Sequence, residues 1–158
     1  MSVQQALQRC ALFQAFTEAG LAIFATIAVE KRVPHGTPLF VEAMEGESLF
    51  IVMSGQVRLV QRTAEGERAL GVAEAGDHLG AVALLAPTTR LVTAVADGDC
   101  VVLELHQRDF IRLQPLKPQA CLKLALAIAA DLAAQVAVNG AQIRELSPAR
   151  GSAGARGG

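Results

Sequence analysis

The sequence contains no tryptophan and no tyrosine, and phenylalanine appears only six times. So few rings leave no aromatic platform on which to stack the bases of a single-stranded nucleic acid. Charge of one sign is also missing: 14 Lys+Arg stand against 15 Asp+Glu, a net charge of −1. That balance argues against DNA or RNA binding through bulk positive charge. Cysteine is scarce and odd in number, at Cys10, Cys100 and Cys121, with no CxxC pair. Zinc-site and redox-motif readings fail, and buried reduced thiols of a cytosolic protein are expected. The first eleven residues are polar and hold no apolar core of a signal peptide, so a cytoplasmic location is expected. The longest apolar stretch, Leu124 to Ala141, is Ala-rich and broken by Asp131, Gln135 and Asn139; no membrane insertion is expected of it.

Catalytic constellations are missing too. His35, His78 and His106 are scattered, without metal-ligand spacing. His78 is expected in a solvent-exposed turn, although it lies close enough to the glycine-containing segment described below to touch a ligand there. Ser54-Gly55 reads as a turn, since the Gly-x-Ser-x-Gly context is absent. No metal and no enzymatic activity are predicted.

What is present is one domain's worth of chain: 158 residues, 52% apolar, with a mean hydropathy of +0.37. That is enough to bury a core without disulfides. Residues 5–30 read as helical, with Leu12, Phe13 and Phe16, then Leu21, Phe24 and Ile27, at three- and four-residue spacings and Thr17-Glu18 as a helix start. Residues 31–105 break into short apolar or β-branched runs punctuated by Gly and Pro, the pattern of an antiparallel sandwich or roll. Ala64-Glu65-Gly66-Glu67 reads as a hairpin turn, and Gly55 as a second tight turn or bulge. Residues 107–146 return to helix: a short one over Asp109–Leu113, then a long one over Gln119–Leu146 with Pro118 in its first turn. The tail, 147–158, is low-complexity and reads as flexible.

The long helix carries Leu122, Leu126, Ala129, Ala133, Val136, Gly140 and Ile143 at alternating spacings of four and three, a heptad-like seam. Ile128, Leu132 and Val138 add a second apolar side. A helix apolar nearly all round must be covered on more than one face, and the simplest second cover is its own copy. A homodimer is predicted.

The segment Gly76–Cys100, GDHLGAVALLAPTTRLVTAVADGDC, opens with a glycine turn, passes Gly80 into an apolar helical turn over Ala81–Leu85, and reaches Arg90 after a Pro-containing loop. Glycine at a helix start lets backbone amides approach an anion, and an arginine ten residues on can fold back onto it. In this context the order of motifs from about Leu12 to Leu146 resembles the cyclic nucleotide-binding domain family, the ligand-sensing half of catabolite-activator and FNR-type regulators. VPHGTPLFVEAMEGESLFIVMSGQVRLV looks like that family's first hairpins, and GDHLGAVALL…TTRLVTAVADGDCVVLEL like its phosphate-binding cassette and closing strands.

The resemblance implies an α+β fold: an antiparallel β-roll of the double-stranded, jelly-roll kind, with N-terminal helices and a long C-terminal helix. It also implies a cassette of the form Gly-Glu-Leu-Ala-Leu, then Arg-Ser/Thr-Ala. Gly80 matches the cassette glycine and Arg90 the phosphate-binding arginine. Ala81, followed by Val82, stands where the family has the glutamate that holds the ribose hydroxyl, and Leu91 where it has the hydroxyl on the phosphate. Losing one charged and one neutral hydrogen bond removes about 3–4 kcal/mol, on the order of several hundredfold in affinity. Leu91 would further place an apolar group beside the phosphate. Arg90 is then left for another anion, or for a carboxylate such as Glu74 or Asp77.

The predicted function is a non-catalytic regulatory module with a degenerate cassette and no cofactor, acting as a homodimer through an unidentified protein partner. Family regulators usually continue into a helix-turn-helix domain, and the Gly-, Ala- and Ser-rich tail offers no recognition helix, so no direct DNA binding is predicted. The alternative is a genuine receptor for a cyclic mono- or dinucleotide (cAMP, cGMP or c-di-GMP) that signals in trans.

Overall fold

The computed structural model describes the backbone of residues 1–146 and the side chains of residues 1–138. The chain begins with α1 (Val3–Arg9), closed at its start by a capping box in which the Ser2 hydroxyl accepts from the Gln5 amide and the Gln5 side chain accepts from the Ser2 amide. A single 3-10 turn (Ala11–Phe13) leads to α2 (Glu18–Ala25), capped by Thr17, whose hydroxyl accepts from the Gly20 amide. Helix ends there. Residues 28–30, predicted helical, already belong to β1 (Ala28–Val33), because the polar run Glu30-Lys31-Arg32 fits an outer strand paired with the end of the roll.

The roll hangs on two long antiparallel strands, β4 (Ser48–Thr63) and β8 (Thr93–His106), in register from Ser48↔His106 to Val60↔Thr93. On β8 lie β1 and β2 (Pro38–Phe40); on β4 lie β5 (Gly66–Ala73) and β6 (His78–Leu79). Two short strands, β3 (Glu45–Gly46) and β7 (Thr88–Thr89), form a separate ladder. β4 is unbroken where a turn at Ser54-Gly55 was one of two expectations. The register shifts on both sides of Ser54, and Gly55 takes φ +83 in a bulge over Asp99 and Cys100. The hairpin at Ala64–Gly66 closes β4 onto β5 through Thr63↔Gly66.

Alternate side chains of β4 feed two cores. Leu49, Ile51 and Met53 join Leu7, Phe13, Phe24, Leu103 and Phe110 beneath the helices. Phe50, Val52 and Val57 point the other way, into the roll with Ala94, Ala96, Cys100 and Val102. Burial on both faces explains why this strand reads as a continuous apolar run rather than an alternating one. All three cysteines are buried and free.

After α3 (Val82–Leu85) and β8 come α4 (Gln107–Leu113) and α5 (Pro118–Leu146). α4 starts two residues before its predicted start because the His106 ring caps it, Nδ1 accepting from the Arg108 amide. α5 buries a single stripe, Cys121, Leu124 and Ile128, in the helical core. The opposite stripe is open: Leu122, Leu126 and Val136 are each about 60% exposed, and Ala129 and Ala133 are exposed between them. Of the apolar residues expected on a second side, Ile128 is buried while Leu132 and Val138 are exposed. Of the seam, Gly140 and Ile143 lie where only backbone is described, and residues 147–158 lie outside the described residues.

By length and composition, Pro118–Val138 is long and apolar enough to cross a membrane, with a mean hydropathy of 1.8. Asp131 and Gln135 lie inside this stretch, and its Cys121, Leu124 and Ile128 are buried in the helical core.

The two stripes of α5 predict opposite responses. Leu124→Ala or Ile128→Ala should cost roughly 2–5 kcal/mol in denaturant unfolding, through the cavity each leaves. Leu122→Ala, on the exposed stripe, should cost no more than about 0.5 kcal/mol when the chain is dilute enough to be monomeric.

Candidate functional site

The β3–β7 ladder carries Arg90 to its place. Gly46 pairs with Thr88 and Glu45 with Thr89, and the next bonds fix Arg90 itself: its amide donates to the Met44 carbonyl at 2.8 Å, and its carbonyl accepts from the Ala43 amide at 2.8 Å. Ala43 takes φ +69 to make that turn. The Arg90 side chain then runs inward and is 6% exposed. Its guanidinium passes directly against the backbone of Gly46 and Gly80, where a Cβ on either glycine would overlap it. Gly80 in addition sits at φ +73. Both glycines are therefore the room for the arginine.

Arg90 Nη2 donates to the Ser48 carbonyl at 2.8 Å, and Cζ lies 4.3 Å over the Phe40 ring and 5.9 Å from that of Phe50. Among the described residues, Nε is buried without a partner. Burial pulls the guanidinium below its ordinary value, and the nearby Glu104 carboxylate opposes that shift. The expectation of a partner in Glu74 or Asp77 is corrected: Glu74 accepts from the Gln56 side chain and Asp77 from the Glu74 amide, at the far end of the roll's turn.

In front of Arg90 is a shallow cavity of about 260 Å³. Its wall includes Phe40, Phe50 and, unforeseen in the sequence, the carboxylates of Glu45, Glu47 and Glu104 with the imidazole of His106. Glu104 is paired with Lys31, and Glu47 lies 3.4 Å from His106 Nε2. Ala81 is 8% exposed and caps α3 without any side-chain bond, while Val82 opens that helix. Leu91 is 77% exposed and does not line the cavity, so the predicted apolar group beside a phosphate is not there. The backbone turns at Arg90, sending the one side chain inward and the next outward.

His78 is likewise not a solvent-exposed turn residue. It forms part of β6, its side chain is 14% exposed, and it is held between Cys10 and Asp131. His35 Nδ1 accepts from the Gly98 amide and so closes a loop. Among the described residues, no cluster of His, Cys, Asp or Glu could hold a metal ion.

Residues 30–114, which span the roll and this site, match the cyclic nucleotide-binding domain model. The chain belongs to that family. It is 34% identical over 100 residues to the cyclic AMP receptor protein of Thermus thermophilus, a match that takes in 63% of this chain and 46% of that protein. The chain thus spans about half the length of this curated relative. Its fold overlays the N-terminal domain of a Streptomyces coelicolor transcriptional regulator at TM-score 0.77 and 26% identity, over 84% of this chain and 94% of that one. It overlays the Thermus thermophilus catabolite activator protein at 0.76 and 28%, over 87% and 63%. The regulatory domain of Toxoplasma gondii PKA, co-crystallised with cAMP, gives 0.63 and 29%, over 70% and 42%.

In this cyclic nucleotide-binding domain the structure sets Gly80 against the Arg90 side chain, with α3 between them in the chain. Gly46, Phe40, Ser48 and the three glutamates were missed. Gly46 had a signal only as turn punctuation, since its contact with Arg90 depends on a ladder between two-residue strands. Gly46→Ala should therefore push the guanidinium off Ser48 and destabilise the chain by about 1–3 kcal/mol. Combining it with Arg90→Ala should give a loss smaller than the sum of the two single losses, measured by a double-mutant denaturation cycle.

Proposed function

We propose that this cyclic nucleotide-binding domain is a non-catalytic regulatory module whose cassette no longer retains a cyclic nucleotide. The observation that carries the reading is the wall in front of Arg90. Glu45, Glu47 and Glu104 line a cavity of about 260 Å³, and Ala81 stands where the resemblance implies a glutamate for the ribose. An anionic phosphate would meet one guanidinium beside three acidic residues, of which Glu104 is paired with Lys31 and Glu47 lies against His106. The acidic side chains oppose an anion there, and the His106 imidazole in the same wall is already turned to Glu47. The arginine itself is engaged, on the Ser48 carbonyl and the face of Phe40, so its role in this reading is to hold the mouth of the roll closed. Titration calorimetry with cAMP and cGMP should show no saturable heat at micromolar nucleotide. Binding at low micromolar concentration that Arg90→Ala abolishes would overturn the reading.

One observation favours the alternative, a receptor that signals in trans: Arg90 Nε is a buried donor with no partner. A cyclic mono- or dinucleotide phosphate would supply one. The same titration separates the two.

The module acts as a homodimer through α5 and passes its state to a protein partner. The open stripe Leu122, Leu126, Ala129, Ala133 and Val136 follows a heptad seam, and a second copy presents the matching stripe by symmetry. The module works in the cytoplasm without inserting in a bilayer, since the opposite stripe of α5 is already the wall of the core. It makes no direct DNA contact of its own, consistent with its near-neutral charge. Sedimentation velocity at micromolar concentration should show a dimer, and Leu126→Glu with Val136→Glu should shift it to a folded monomer. Unchanged sedimentation would remove the seam as the interface.

A further inference from the structure

Past Ile128, α5 leaves the body of the domain. From Leu132 to Val138 every residue is exposed, and Asp131 is the last described side chain of the helix that is not. At this point of departure the helix is tied down. Asp131 Oδ2 lies 3.1 Å from His78 Nε2 and also accepts from Gln135 Nε2 at 2.9 Å. The other ring nitrogen of His78, Nδ1, lies 3.9 Å from Cys10 Sγ, at the end of α1. His78 is two residues before Gly80, on the short strand whose pairing with Phe50 and Ile51 sets the start of the cassette.

We infer that His78 is a positioning residue that clasps α5 to the cassette strand, so that the angle at which the exposed seam leaves the domain and the backbone of the cassette shift as one unit. Its chemistry suits a fixed clasp. Burial pushes the Cys10 thiol up to about 11, with the Asp131 and Asp77 carboxylates adding to the rise, so the sulfur keeps its proton and can donate it. An imidazole protonated on Nε2 then accepts from the thiol and donates to Asp131, satisfying both nitrogens at once. That orients the ring from both sides. The groups facing it are Cys10 from α1, Asp131 with Gln135 from α5, and the neighbouring Asp77 of its own turn. Asp131 is the one carboxylate between Leu122 and Gln142, an otherwise apolar stretch.

The inference deepens the reading of the chain as a signalling module, yet its test needs neither a nucleotide nor a partner. Amide hydrogen exchange is measured on the full chain at one pH. The amides of Ala83 and Leu84, which donate to Gly80 and Ala81, report on the cassette, and those around Asp131 report on the helix. Asp131→Ala should speed exchange at Ala83 and Leu84 by about tenfold, the loss of one charged hydrogen bond. His78→Ala should do the same along α5 near Asp131. The double variant should match either single one. His78→Gln, whose amide nitrogen can reach the position of Nε2, should restore slow exchange at both places and guards against a variant that merely unfolds. If each substitution affects only its own element, or the two effects add, the clasp is wrong. A dimer and a silent cassette could both still stand, since sedimentation and calorimetry test them separately.

Discussion

The antiparallel pairing of β4 with β8 is the constraint on which everything else in the structure rests. Each strand is buried on both faces, so the ladder separates two cores and joins them at the same time. Every other strand of the main sheet pairs with one of these two. Because successive side chains point to opposite faces, moving the register by one residue would exchange the partners of Phe50 and Ile51 and empty both cores together. The bulge at Ser54-Gly55 lets so long a strand curve. A side chain at Gly55 would meet the backbone of Asp99 and Cys100, so the bend and the close approach of the two strands have the same origin.

The site inherits its geometry from that ladder. Ser48 and His106 face one another at its end, and this pairing brings Glu47 and Glu104 to one wall around the arginine. Burying a guanidinium is costly unless it is bonded and counter-charged. Here one carbonyl, one aromatic face and the field of Glu104 share the task, while Nε is left over. Arg90 is thus held by the protein itself. The same packing that keeps it in place makes the cavity small and acidic.

α5 unites two requirements that do not sit on the same residues. Leu124 and Ile128 complete the helical core, whereas Leu122, Leu126 and Val136 look away from it. The histidine two residues before Gly80 meets the helix at Asp131, one turn past the last described buried residue, Ile128. A stripe so apolar and so open is a demand on a second surface, since helices gain most of their stability from the face they bury.

Much of this was legible in the chain. The capping position of Thr17, the turn at Ala64–Gly66, Pro118 in the first turn of α5 and the alternation of fours and threes along that helix are local rules, and local chemistry is written in neighbouring residues. The order of elements, and with it the resemblance to the cyclic nucleotide-binding domain family, follows from the same signals. What spacing could not show was distance across the fold. Whether Arg90 would reach Glu74 or Asp77 or turn onto the Ser48 carbonyl, whether Leu91 would turn inward, and whether His78 would stand in water depended on strand register, on a bulge and on two glycines with no side chain in the way. Periodicity along the chain assigns each residue a face. Only the assembled sheet assigns that face its neighbours, because register is set by packing both cores at once.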